Sequence, residues 1–92
     1  MSITELGITL DDDHPSTHQL QAIDLPGNVR ARVVQVLSEL LAAGDLNMID
    51  YGAGKGVGLA VGLNMAGMID DDQQMHLEQL FQDSAVRARE DW

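Results

Sequence analysis

The pattern of hydrophobic and polar positions predicts three helices in the last two thirds of the chain. The clearest spans residues 26–43, where apolar side chains recur at helical spacing: Val29, Val33, Val36, Leu37, Leu40 and Leu41. Pro26 suits a first turn, and Asn28 is a candidate N-cap. Gly44 is placed where a left-handed residue commonly follows a helix. This segment is therefore expected to bury one face against the other helices.

A further helix is predicted over residues 70–89. Asp70 and Gln73 match a capping box, and three consecutive aspartates suit the positive end of the helix dipole. Its expected core face is Leu77, Leu80, Phe81, Ser84, Ala85 and Ala88. Gly67 can close the preceding helix. The second and third helices should thus form an antiparallel hairpin.

Residues 1–25 are expected to form an N-terminal arm or a short β-hairpin. Residues 3–10 contain Ile and Thr, which favour a strand, and Pro15 interrupts regular structure in a segment rich in turn formers. Residues 18–25 would return as a second strand, or lie irregularly over the helices, because two strands alone are marginally stable. The predicted fold is therefore mainly α: one compact three-helix domain over residues 1–92, with the helices in 26–92.

The middle helix, predicted over about residues 54–66, lies in the most unusual part of the pattern. Residues 51–67 are apolar on almost every side and hold six of the nine glycines. A helix that is hydrophobic all round is expected to be buried. Gly54, Gly58 and Gly62 recur every four residues, so they form a strip where another helix can approach closely. The approaching helix is either internal, against Val33, Val36 and Leu40 as we expect, or belongs to a second copy in a homodimer.

The same glycines support a different interpretation. Residues 48–56, Met-Ile-Asp-Tyr-Gly-Ala-Gly-Lys-Gly, resemble motif I of the class I S-adenosylmethionine-dependent methyltransferases, in which a hydrophobic strand precedes an acidic residue and alternating glycines. The resemblance covers about the middle half of the chain. It implies an S-adenosylmethionine-binding fragment in which Gly52, Gly54 and Gly56 line the cofactor and Asp70 binds the ribose. Residues 46–49 would then be a strand and not a linker between helices.

Charge restricts the partners. The chain has 15 acidic and 5 basic residues, a net charge of −10, which disfavours direct binding to nucleic acid or to an anionic membrane surface. The same charge permits an acidic nucleic-acid mimic that inhibits a DNA- or RNA-handling protein. The longest apolar run, residues 57–68, is shorter than the roughly 20 residues of a membrane span. With no signal-like start, a cytoplasmic protein is expected. The absence of cysteine excludes a disulfide framework and leaves the redox compartment open.

Candidate chemistry is sparse. No catalytic residues and no cofactor are predicted. No metal site is predicted either, since the acidic turn at residues 11–18 lacks the EF-hand pattern. Arg30 and Arg32 are two of only five basic residues and lie near a helix start, where positive charge is unfavourable. They either neutralise nearby acids or contact a partner.

These observations predict a small, acidic, soluble, non-enzymatic interaction or regulatory protein that acts through protein contacts, with homodimerisation as one form. The methyltransferase-like fragment and the acidic mimic are the alternatives. The candidate interaction residues are Arg30, Arg32, Gly54, Gly58 and Gly62.

Overall fold

The computed structural model describes residues 14–90, which form four helices and no strand. They are α1 (Pro15–Gln21), α2 (Gly27–Leu41), α3 (Leu46–Met65) and α4 (Asp71–Glu90). The prediction of a compact, mainly helical protein is confirmed. The count of three helices is not, because the predicted arm contributes α1. The strand predicted at residues 3–10 lies outside the described residues.

Helix α1 replaces the strand predicted for residues 18–25. Pro15, which we expected to interrupt regular structure, occupies its first turn, where the missing N–H costs nothing. His14 is the N-cap, and its Nδ1 accepts a hydrogen bond from the Ser16 N–H at 3.0 Å. Ser16, Thr17 and Leu20 are buried. Because two of these three buried residues are polar, the sequence has no apolar stripe that would predict the helix.

A polar contact holds α1 on α4. The hydroxyls of Ser16 and Ser84 are both fully buried and lie 2.7 Å apart. Arg87 donates to Ser16 Oγ at 3.0 Å and to Gln19 Oε1 at 2.9 Å. Because a buried polar group is costly when it is unpaired, these mutual hydrogen bonds specify where α1 docks.

Helix α2 has the predicted apolar face, but its ends differ from those predicted. Pro26 is the N-cap and makes no side-chain capping bond, so Asn28 lies inside the first turn and is not the cap. The helix ends at the C-cap Ala42. Gly44, which follows α2, does not have a positive φ, since Gly67, with φ of 76°, is the single residue among 14–90 that has one. The left-handed conformation predicted at Gly44 is therefore wrong.

The start of α3 and the α3–α4 connection follow short-range rules. Asp45 caps α3 by accepting from the Met48 N–H at 2.8 Å. Residues 46–49 are therefore its first turn, neither a strand nor a linker, and α3 begins well before the start predicted near residue 54. Gly67 closes the helix as predicted. Asp70 and Gln73 each accept from the other's backbone N–H at 2.8 Å, which confirms the capping box.

The core lies where α3 packs on α2 and α4. The predicted face of α4 is buried, and Phe81 is its largest side chain. Two glycines allow the close approach of α3. A Cβ at Gly52 would lie 3.1 Å from Leu40 Cβ, and a Cβ at Gly56 would overlap the Phe81 ring. The ring thus occupies the space that any side chain at position 56 would need.

Gly56→Ala should destabilise the fold by about 1–3 kcal/mol, because the ring of a fully buried phenylalanine must shift to admit the methyl group. The free energy of unfolding is measured by urea denaturation followed by circular dichroism. A stability equal to or above that of the wild type would contradict the contact described here.

Candidate functional site

Helix α3 has two faces lined by small residues, and only one is buried. The inner face, Ile49, Gly52, Gly56 and Ala60, is buried against α2 and α4. Gly54, Gly58 and Gly62 are exposed, and a Cβ at any of them would meet no atom of residues 14–90 within 4 Å. The internal contact predicted for this row is therefore wrong. The two rows are offset by two residues, which is about 200° around a helix.

The outer face of α3 is Tyr51, Gly54, Gly58, Val61, Gly62 and Met65. Its large side chains are well exposed: Tyr51 at 72%, Val61 at 37% and Met65 at 85% of the maximum. None of the six carries a charge at neutral pH, although the chain has a net charge of −10. The expectation that α3 is buried on all sides is thus wrong.

The three outer glycines weaken the helix. Each glycine in a helix interior costs about 1 kcal/mol relative to alanine, so the row costs roughly 3 kcal/mol. For Gly52 and Gly56, close packing on Leu40 and Phe81 offsets such a cost. For the outer row, no contact among the described residues does so.

Ion pairs border the outer face on both sides. Toward α2, Lys55 Nζ lies 3.0 Å from Glu39 Oε2, beside a shallow cavity of about 330 Å³ that Met48, Tyr51 and Gly52 also line.

Toward α4, Arg89 pairs with Asp50. Asn64 donates to Asp71 and Gln74, both at 2.6 Å. The charged groups on both borders, Lys55 with Glu39, Arg89 with Asp50, and Asp71, are therefore paired or hydrogen-bonded within the chain. The uncharged outer face lies between these borders.

The two candidate arginines belong to other parts of the structure. Arg30 donates from Nη1 to the Leu20 carbonyl at 3.2 Å and from Nη2 to the Ile23 carbonyl, so it holds the C-terminal end of α1. Arg32 donates to Gln35 Oε1 at 2.8 Å on the exposed side of α2. The five predicted interaction residues thus do not form one site, because only the glycines share the outer face of α3.

The strand and glycine loop implied by the methyltransferase resemblance are not formed. Residues 46–65 are one continuous helix, which places Gly54 on the opposite side from Gly52 and Gly56. Asp70 accepts from the Gln73 N–H as the cap of α4 and does not lie at the end of a strand, as the resemblance implied. These residues therefore do not line a common cofactor site.

Other kinds of site find no support in residues 14–90. This part of the chain contains no group of three or more His, Asp or Glu residues placed to hold a metal ion. None of its helices has both the length and the apolar character needed to cross a bilayer. The acidic segment at 11–13 lies outside the described residues.

The sequence matches no family model, and neither the curated proteins nor the solved structures contain a significant match.

Sequence reasoning missed Tyr51 and Met65 as parts of the surface. They are seven residues before and seven residues after Gly58, which is two helical turns in each direction. Their spacing on the glycine face was the signal that could have identified them. The expectation that α3 is buried on all sides left no reason to consider this spacing as a surface.

Alanine in place of Gly54, Gly58 or Gly62 should stabilise the isolated protein by about 0.4–1 kcal/mol each, because the helix propensity rises and the added methyl group meets no neighbour. Urea denaturation of the three single variants checks this, with Gly52→Ala as the matched glycine on the inner face. Loss of stability in the outer row would show that an intramolecular contact is present there.

Arg30→Met should destabilise the protein by about 1–3 kcal/mol, because two carbonyl groups lose a charged donor while the apolar stem is kept. Arg32→Met, on the same helix but exposed, should change stability by no more than about 0.5 kcal/mol. Thermal denaturation of both variants measures the difference. Equal losses of stability in Arg30→Met and Arg32→Met would show that the hydrogen bonds from Arg30 to α1 do not stabilise the fold.

Proposed function

We propose that this protein is a small non-enzymatic interaction protein whose outer face of α3 binds a helix of a partner. The observation that carries the proposal is a solvent-exposed, uncharged row of glycines flanked by Tyr51 and Met65. As part of this proposal, the protein acts by occupying its partner and not by chemistry, which is how it would exert a regulatory role.

The shape of the outer face suits a helix. Where side chains meet, packed helices are about 8–10 Å apart, and the distance depends on the side chains at the contact. With no Cβ at positions 54, 58 and 62, a partner helix can lie closer and contact the α3 backbone. Contact along this row would offset the helix propensity lost at the three glycines.

The side chains at the two ends supply anchors. Tyrosine is enriched among the residues that dominate binding energy, and exposed methionine adapts to irregular apolar partners. Both side chains are well exposed, so the apolar area they offer is accessible before binding. The face presents carbon and backbone atoms and a single phenol, which suits recognition more than acid–base catalysis.

The outer face does not suit the acidic-mimic alternative, whose carboxylates would have to lie elsewhere on the chain. Glu39 and Asp50, which border the outer face, are paired with Lys55 and Arg89. A phosphate mimic needs carboxylates free to meet basic groups of the target. We therefore place binding on the uncharged strip, and Arg32 remains a candidate secondary contact because its side chain is exposed.

Gly58→Arg should abolish partner binding while keeping the fold, because a long charged side chain at the centre of the row blocks helix approach and meets no intramolecular neighbour. The test is affinity capture from lysate of the source cells, with captured proteins quantified by mass spectrometry. Gln82→Arg, at an exposed position of α4, adds the same side chain and charge elsewhere.

The expected result is a protein captured by the wild type and by Gln82→Arg but lost with Gly58→Arg. Circular dichroism establishes that both variants are folded. Equal capture by both variants would place the binding surface away from the outer face.

A further inference from the structure

We infer that α1 detaches from α4 as a unit while α2, α3 and α4 stay folded, so that α1 covers or exposes one side of α4. The inference goes beyond the proposed helix-binding function, because α1 packs chiefly on α4 and the outer face belongs to α3. It is carried by the polar contact between α1 and α4, by a cavity within that contact, by the length of α1 and by the way its two ends are held.

The contact between α1 and α4 contains polar groups along its whole length. Ser16 meets Ser84 near the C-terminal end of α4. The Asp24 carbonyl, just after α1, accepts from Gln73 Nε2 at 2.6 Å near the N-terminal end of α4, so the two helices are antiparallel. The following α4 residues, all polar, hydrogen-bond with residues 16–24 or line a cavity beside them: Gln73, His76, Gln79, Asp83, Ser84 and Arg87.

Polar contacts of this kind make α1 easier to detach than α3. When two hydrogen-bonding groups separate, water replaces each partner, so the net stabilisation from a hydrogen bond is small. Exposing apolar surface to water has no such compensation. Helix α3 is held by close packing of Gly52 and Gly56 on apolar side chains of α2 and α4. Within α1, Leu20 is the single large apolar side chain that is buried.

Packing between α1 and α4 is also incomplete. A cavity of about 200 Å³ lies between them, and its lining residues are Gln19, Ala22 and Ile23 on one side and His76 and Gln79 of α4 on the other. Protein interiors are close-packed, with few voids larger than a water molecule. The side chains that line this cavity therefore lack part of the contact that holds packed helices together.

The length of α1 makes its docking and its folding a single event. It has seven residues, and isolated helices shorter than about 12–15 residues are marginal in water. Once detached, α1 thus loses its helical structure and gains conformational entropy, which favours the open state. In contrast, α2, α3 and α4 have 15 to 20 residues and pack on one another.

The two ends of α1 are held differently. Ile23, just after α1, is buried, and its carbonyl accepts from Arg30, so the chain beyond α1 stays on the core. At the other end, Ser16 contacts the hydroxyl of Ser84 and the guanidinium of Arg87. Detachment therefore separates Ser16 from Ser84, whose side chain is fully buried when α1 is docked, and exposes that side of α4.

Native-state hydrogen exchange of the full chain tests the inference, with each amide followed by NMR at urea concentrations below the unfolding transition. The α1 probes are the N–H groups of His18 and Ala22, which donate to the carbonyls of His14 and His18. The α3 probes are the buried Gly56 and Ala60. The α1 probes should be protected at least about 100-fold less than the α3 probes and should respond less to urea, because detachment exposes less surface than global unfolding.

A disulfide between positions 16 and 84 should reduce this difference. The two hydroxyl oxygens lie 2.7 Å apart, and a disulfide joins two sulfurs at about 2.05 Å, so Ser16→Cys/Ser84→Cys suits the contact. The natural chain has no cysteine, so no other pairing competes. In the oxidised variant, the ratio of α3 to α1 protection should fall at least about tenfold because α1 can no longer leave α4, and reduction should restore it. The reduced form of the same variant is the matched control.

Three results would overturn the inference. The first is equal protection and equal urea dependence of the α1 and α3 probes in the wild type, because α1 would then open only with the whole fold. The second is exchange of the α1 probes as fast as in an unstructured chain, because α1 would then have no docked state. The third is a double variant whose cysteines do not pair, or whose protection ratio is unchanged when they do. The wild-type measurements stand even if the variant does not fold.

Discussion

The contact between Gly56 and Phe81 sets the orientation of α3, and most of the structure follows from that orientation. The phenylalanine ring fills the space in which a side chain at position 56 would lie, so this side of α3 must face α4. Four residues earlier, Gly52 brings the same side of the helix onto Leu40 of α2. With its rotation fixed at two places, α3 necessarily turns Gly54, Gly58 and Gly62 toward solvent.

Features that depend on neighbouring residues were predictable from the sequence. The Asp70–Gln73 capping box, the left-handed Gly67 and the buried stripe of α4 each involve short-range spacing within one segment. Helix α1 was not predictable in this way. Its burial rests on the Ser16–Ser84 hydroxyl contact between residues far apart in the chain, and polar residues at its core face hide the periodicity.

The candidate site was only half predictable, for a related reason. Both glycine rows of α3 have the same four-residue spacing, and the helix is apolar on nearly every side, so periodicity alone cannot tell the inner face from the outer one. The choice is made by Phe81, which belongs to a different helix. The four-residue spacing therefore predicted a close internal contact at Gly54, Gly58 and Gly62, whereas within residues 14–90 the close contacts are made at Gly52 and Gly56.

The separation of the two faces explains how a small domain can carry an exposed glycine row. The free energy of unfolding of a domain of this size is a small difference between large favourable and unfavourable contributions. The helix propensity lost at the three outer glycines, roughly 3 kcal/mol, is therefore substantial. The contacts with α2 and α4 are made by the inner face and by its partly buried neighbours Ala53, Leu59 and Leu63, and not by the three outer glycines. Substitutions on the outer face can therefore leave the core undisturbed, and a partner helix packed against that face, as proposed above, would offset the cost of its glycines.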